Sequence, residues 1–134
     1  MQSNTGNLFR IDIESREIIQ IDLGSETLTG GDGLLLDGQT LYVVRGGEGM
    51  VVPVEPSEDF ASGKISEGFS DPSFARPTIV AKYGNLLLVV NSQFVRHVSG
   101  ETPELPFTVS DIEMQTRPLP MLRPSRYRPS GSSL

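Results

Sequence analysis

The pattern of hydrophobic and polar positions is clearest in residues 30–44, which read GGDGLLLDGQTLYVV. Residues 34–36 form a short apolar run, and residues 40–44 form a second run rich in β-branched and aromatic side chains. Between them lie Asp37 and Gly38, and an Asp-Gly pair favours a tight turn with positive φ. This stretch is therefore predicted to be a β-hairpin.

Shorter segments with strand-like patterns flank this hairpin. Residues 7–13 and 17–23 alternate apolar and polar side chains around a short polar turn, which predicts a second hairpin with one buried face. Residues 50–55 predict a further strand, in which Pro53 favours an edge or bulge position because proline cannot donate a ladder hydrogen bond. Residues 64–69 predict the strand that returns beside it.

The strand–turn–strand pattern recurs at a spacing of 46 residues, since aligning residues 43–44 with residues 89–90 places Gly38 on Gly84. A four-stranded unit that repeats every ~40 to 50 residues is typical of a β-propeller blade, which buries its faces only against neighbouring blades. The fourteen glycines and ten prolines are spread along the chain, as expected for many short strands joined by turns. The composition therefore agrees with the repeat.

The predicted fold is all-β, with antiparallel four-stranded blades of an incomplete β-propeller over residues 1–112. Residues 7–23 supply the outer two strands of a first blade, residues 32–69 a whole blade, and residues 78–94 the inner two strands of a third. Residues 104–112 offer one more strand. Because such sheets leave unpaired edges and apolar faces, the chain is expected to self-associate or to bind another chain that completes the propeller.

Residues 113–134 differ in composition from the rest of the chain and are predicted to form a Pro/Arg/Ser-rich disordered tail. They contain four of the ten prolines and four arginines, and no acidic residue follows Glu113. Such a segment cannot bury enough apolar area to offset the entropy of ordering. The alternative is a recognition arm for proline-binding or anionic partners, which the Arg-Pro pairs favour.

Charge and composition exclude several classes of partner and site. Residues 1–116 hold seven basic groups and all 17 acidic groups, a net charge of −10 that would repel a phosphate backbone, so no nucleic-acid partner is expected. The chain has no cysteine, which excludes disulfides and thiolate zinc sites and leaves oxygen ligands for any metal. No apolar run approaches the ~18 residues that cross a bilayer. The chain is expected to be soluble, without a membrane partner, and secreted if a signal peptide precedes it.

The runs GGDGLLLDGQTLYVV, DFASGKI and RPTIVAKYGNLLLVVNSQF occur in this order. Together they resemble blades of the six-bladed propellers in the senescence marker protein and gluconolactonase family, a branch often grouped with NHL-repeat-like propellers. The resemblance covers roughly residues 6–112. Enzymes of that family hydrolyse sugar lactones with one divalent ion, often calcium, held at the propeller axis by a Glu, two Asn and an Asp. By this resemblance Asp32, which opens an innermost strand, is the candidate metal ligand, and calcium is the candidate cofactor.

The resemblance implies two functions. The place that corresponds to Asp32 in the next blade is occupied by Pro77 and Thr78, which offer neither a carboxylate nor a carboxamide. The chain also supplies about half of a six-bladed ring at ~45 residues per blade. An isolated chain is therefore expected to be a non-catalytic binding or structural module, with no catalytic residue of its own. The alternative is a calcium-dependent lactone hydrolase, formed when further blades complete the propeller.

Other candidate residues each have a structural interpretation that is favoured. Asp32 is also suited to cap a turn before a strand, and Asn91, which would offer a carboxamide to the axis, is favoured as a turn former. His97 is the sole histidine and the one possible imidazole base, but it is predicted to lie in a solvent-facing loop. The glycine runs near residues 30–33 and 46–49 would suit a phosphate-binding loop, but no Walker lysine or helix is predicted after them, so turns are favoured.

Overall fold

The computed structural model describes residues 1–114, which form three antiparallel sheets and one short helix. The elements are β1 (Phe9–Ile11), β2 (Ile18–Gln20), β3 (Gly31–Asp37), β4 (Thr40–Arg45), β5 (Met50–Pro56), β6 (Gly63–Ile65), β7 (Pro77–Tyr83), β8 (Leu86–Asn91), α1 (Phe94–Ser99) and β9 (Thr108–Glu113). The first sheet is β1-β2, the second β3-β4-β5-β6 and the third β7-β8-β9. The predicted all-β class with antiparallel sheets is confirmed. Of the disordered tail predicted for residues 113–134, Glu113 instead ends β9, and residues 115–134 lie outside the described residues.

The hairpin predicted for residues 30–44 is present, but its turn lies one residue later than predicted. Asp37 pairs with Thr40, so the two-residue loop is Gly38-Gln39. Gly38 has φ 59°, and a glycine at the first loop position suits a type II′ turn, whose twist matches that of the flanking strands. Gly84 has the same φ at the first loop position of the β7–β8 hairpin, so the two hairpins align as the 46-residue spacing predicts.

Two strand predictions need correction. The strand predicted for residues 64–69 ends at Ile65 in β6, and Phe69 instead exchanges two backbone hydrogen bonds of 2.9 Å with Val51. The outer edge of β8 was expected to be unpaired, which is wrong, because β9 pairs with all six residues of β8. The third sheet therefore has three strands, and the strand predicted near residues 104–112 supplies the third one.

The three sheets stack face to face in chain order, with one hydrophobic core on each side of the second sheet. Neighbouring residues of a strand point to opposite faces, so Val43 and Val44 of β4 enter different cores. The first core joins Leu8, Ile21 and Leu28 to Val43, Val52 and Val54. The second core joins Val44 and Val51 to Val80, Leu87 and Val89 of the third sheet. The second sheet is thus the central layer of the stack.

The first sheet covers the second sheet only in part. Leu34 and Leu36 of β3 face the first sheet, because they pair with Val43 and Leu41 of the first core. Their side chains are nevertheless 42% and 51% exposed. Leu35 points the other way and packs against the second core. The two-stranded first sheet therefore leaves the edge strand β3 partly uncovered on one side.

Candidate functional site

The side chains with candidate chemistry gather at one end of the stack, which we call the loop end and define as residues 30–33, 45–49, 70–78 and 91–107. Strands β3 and β7 begin there, and β4 and β8 end there, since Gly31 pairs with Arg45 and Pro77 pairs with Asn91. Three of the depressions found in residues 1–114 open at this end. One, of about 450 Å³, is lined by His97 and Phe107, and the other two are a smaller one of about 310 Å³ and a larger one of about 360 Å³. Arg76 and Gly47 line both of the latter two.

Asp32 is exposed and lines the smaller depression together with Arg76 and Thr78. The Arg76 guanidinium donates a 2.6 Å hydrogen bond from Nη1 to the carbonyl oxygen of Gly47. A fixed positive charge in the same depression opposes the binding of a cation there. No group of three or more metal-ligating His, Asp or Glu side chains occurs within residues 1–114. Because calcium takes ~6 to 8 oxygen ligands, a calcium ion at Asp32 would need oxygens from outside these residues.

Asn91 has a role that the sequence did not indicate. It was predicted to form a turn, but its side chain is fully buried at the end of β8. Its Oδ1 accepts a 2.9 Å hydrogen bond from the backbone N–H of Ala75, and its Nδ2 donates to the Ser73 carbonyl oxygen at 3.1 Å. The same amide nitrogen lies 3.0 Å from the Thr108 hydroxyl and 2.9 Å from the Ser110 hydroxyl. Asn91 therefore ties β9 to the segment that enters β7.

The hydrogen bonds around Asn91 extend to the surface through two serines and one carboxylate. The Ser73 hydroxyl lies 2.7 Å from that of Ser110 and 2.6 Å from Asp71 Oδ1, and the Ser73 backbone N–H also donates to Asp71 at 2.8 Å. These bonds from the Ser73 hydroxyl and N–H hold the pKa of Asp71 below its usual value. Asp71 therefore stays ionised in mildly acidic solution, and its contribution to stability is lost only as the pH falls through its lowered pKa.

Gln93 fastens the loop that joins β8 to β9. It is 5% exposed and has a positive φ of 54°. Its Nε2 donates to the Glu104 carbonyl oxygen at 2.7 Å, while its Oε1 accepts from the Glu104 N–H at 2.8 Å. Arg96 adds an ion pair, with Nη2 2.8 Å from Glu104 Oε1. We call these contacts of Gln93 and Arg96 with Glu104 the clasp. Because all three residues line the depression of about 360 Å³, the clasp fixes the shape of one of its walls.

His97 lies in helix α1 and not in the predicted loop, although it is exposed as expected. Its ring centroid lies 6.0 Å from that of Phe94, at a tilt of 38°. None of the hydrogen bonds found in residues 1–114 involves the imidazole ring, so the described residues supply it with no Ser or acid partner of the kind a nucleophile needs.

Two glycines of the loop end have a role beyond turn formation. An added Cβ at Gly33 would lie 2.5 Å from the Thr78 carbonyl oxygen and 2.7 Å from the Ile79 Cα. An added Cβ at Gly46 would overlap with the Pro77 carbonyl oxygen. These positions therefore let the backbones of the second and third sheets approach closely at β3, β4 and β7. In the sequence, Gly33 lies near the turn glycine Gly30, and Gly46 lies beside the turn glycine Gly47. Only the close approach of β7 distinguishes Gly33 and Gly46 from these turn glycines.

Comparisons of the chain with models of protein families, with curated proteins and with solved structures found no match. Within residues 1–114 the longest helix has six residues, and none is long and apolar enough to span a membrane. The interpretation of function therefore depends on the geometry of the stack and of the loop end.

Proposed function

We propose that this chain is a non-catalytic binding or structural module that contributes blades to a β-propeller of the senescence marker protein and gluconolactonase type. One observation carries the proposal: three antiparallel sheets stack in chain order, and large apolar side chains are exposed at both ends of the stack, on Ile11 and Ile18 of the first sheet and on Ile79 and Val90 of the third. In a propeller such side chains are covered by neighbouring blades. The partner in this proposal is a second copy of the chain or another chain that supplies the missing strands.

The close approach of the second and third sheets supports the comparison with blades. The two sheets approach closely where Gly33 of β3 and Gly46, directly after β4, meet the start of β7, because neither position has room for a Cβ. Sheets that converge on a common axis are expected to crowd most at the strands nearest that axis. At the far tip of these strands, Lys82 Nζ lies 2.7 Å from Asp37 Oδ1, so an ion pair also joins the two sheets there.

The chain is expected to associate in solution, because association covers its exposed apolar faces. Size-exclusion chromatography with light scattering at low micromolar concentration should give a mass above the 14.6 kDa of one chain. Thermal melting at two protein concentrations should show a higher midpoint at the higher concentration, as mass action requires. A compact monomer with a sharp midpoint that does not depend on concentration would show that the chain closes its own core and would refute the proposal.

The absence of catalysis is also testable. Because Asp32 shares its depression with Arg76, calorimetric titration of the chain with calcium is expected to show weak binding at most, and no hydrolysis of a sugar lactone above the uncatalysed rate. The matched control is Asp32→Ala, which should behave like the parent in both assays. Micromolar calcium affinity that disappears in Asp32→Ala would favour the alternative function, a calcium-dependent lactone hydrolase.

A further inference from the structure

Two of the apolar surfaces that the chain exposes face in opposite directions along its stack of sheets. The first, which we call the notch, consists of Leu34 and Leu36 of β3, where the two-stranded first sheet stops short. The second, which we call the outer surface, is the face of the third sheet that points away from the second core. Its residues are Ile79, Ala81 and Tyr83 of β7, Leu86, Leu88 and Val90 of β8, and Val109, Asp111 and Glu113 of β9.

We propose that the outer surface of one copy of this chain packs into the notch of the next copy, in a repeated head-to-tail contact. The inference rests on the proposed function, because it treats the sheets as blades, and it names the partner as a second copy. Inside one chain, the second sheet already packs its Leu35 side against the inner face of the third sheet. The contact between copies continues that stack, with the third sheet placed against the Leu34 side of the next second sheet.

The distribution of polar residues on the outer surface fits this placement. On β7 and β8 every side chain of this face is apolar, and Ile79 and Val90, which pair across the two strands, are 55% and 38% exposed. The two carboxylates, Asp111 and Glu113, both lie on β9. The notch lies on β3, the edge strand of its sheet next to β7. The apolar strands of one copy therefore face the apolar strand of the next, and the acidic strand lies further out.

This contact uses different surfaces on the two partners, so it produces a ring if the rotation between copies closes and an open filament if it does not. Each copy contributes its own four-stranded sheet, and the third sheet of one copy fills the position beside the first sheet of the next. Two blade positions are therefore filled per copy. Because propellers have ~4 to 8 blades, a closed ring would contain about two to four copies.

The test uses one charged substitution on each surface. Leu36→Glu blocks the notch and Ile79→Glu blocks the outer surface, and both side chains are exposed in the single chain, so each variant is expected to fold. The matched control is Ile13→Glu, because Ile13 is 91% exposed and lies outside both surfaces. Far-ultraviolet circular dichroism of each variant at the same concentration checks that the β structure is retained.

Light scattering should give an assembly for the parent chain and for Ile13→Glu, and monomers for Leu36→Glu and Ile79→Glu. Mixing the two blocked variants should give a dimer and nothing larger, since each retains the one surface that the other needs. If Leu36→Glu stays assembled while Ile79→Glu does not, the outer surfaces pair with each other, and the head-to-tail contact is refuted while the proposed function stands. If the mixture stays monomeric, the contact is likewise refuted. A parent chain that is itself monomeric would refute the proposed function as well.

Discussion

Replacing Asn91 with leucine is expected to lower the free energy of unfolding by about 2–3 kcal/mol, because removing one partner of a buried hydrogen bond costs ~1–3 kcal/mol when the other polar group stays unsatisfied. The substitution keeps the number and branching of the side-chain heavy atoms and leaves no cavity, so the loss comes from the polar groups. The buried hydroxyl of Ser110, the N–H of the half-buried Ala75 and the hydroxyl of the more exposed Thr108 would each lose a partner. Urea unfolding of both proteins, followed by circular dichroism at one protein concentration, measures the difference.

Asn85→Ala is the matched control for Asn91→Leu. Asn85 is exposed in the turn between β7 and β8, and its backbone carbonyl oxygen, which the substitution leaves in place, accepts a 2.9 Å hydrogen bond from Met114. Its replacement is expected to change the free energy of unfolding by about 0.5 kcal/mol or less, as is usual for surface positions. If Asn91→Leu had an equally small effect, the network around Asn91 would not hold β9 and the segment before β7 together.

The sequence predicted the hairpins well because their determinants are local. A glycine between two apolar runs encodes both the turn and the strands, and this holds for Gly38 and for Gly84. The strand β9 was predicted only loosely, because the alternation of apolar and polar residues in its sequence TVSDIE is weak. Its position is set by its pairing with β8. The role of Asn91 was missed for the same reason, since its hydrogen-bond partners lie 16 to 19 residues away in the chain.

The candidate site was less predictable than the fold. Asp32 was identified from its place before a strand, and its position at the loop end follows from the hairpin. The neighbouring cation, Arg76, comes from a segment more than 40 residues later and reaches the same depression only because the second and third sheets pack together. The clasp between Gln93 and Glu104 also joins residues that have no recognisable motif. Which charged side chains share a depression depends on such packing between sheets, and a local sequence pattern does not encode it.

The two neighbouring glycines of the loop end separate packing from turn formation. A Cβ at Gly46 would overlap with the backbone carbonyl oxygen of Pro77 at the start of β7, whereas a Cβ at Gly47 would have no heavy atom within 4 Å beyond its immediate surroundings in the chain. Neither glycine has a positive φ. Alanine is therefore free of backbone strain at both positions. The substitution also lowers the entropy of the unfolded chain equally at both, so the two variants differ only in the contact with β7.

Gly46→Ala is expected to lower the free energy of unfolding by about 2–3 kcal/mol, the upper part of the range for overpacked sites. The cost is high because the atom that must move belongs to the backbone of Pro77, so that the second and third sheets have to separate where they lie closest. Gly47→Ala is expected to change stability by about 0.5 kcal/mol or less, and slight stabilisation is the sign expected when alanine replaces glycine without strain. Urea unfolding of the two variants at one concentration tests the contrast. Equal stability of the two variants would mean that β7 does not pack against the end of β4, and the stack of sheets on which the proposed function depends would then be wrong at its closest contact.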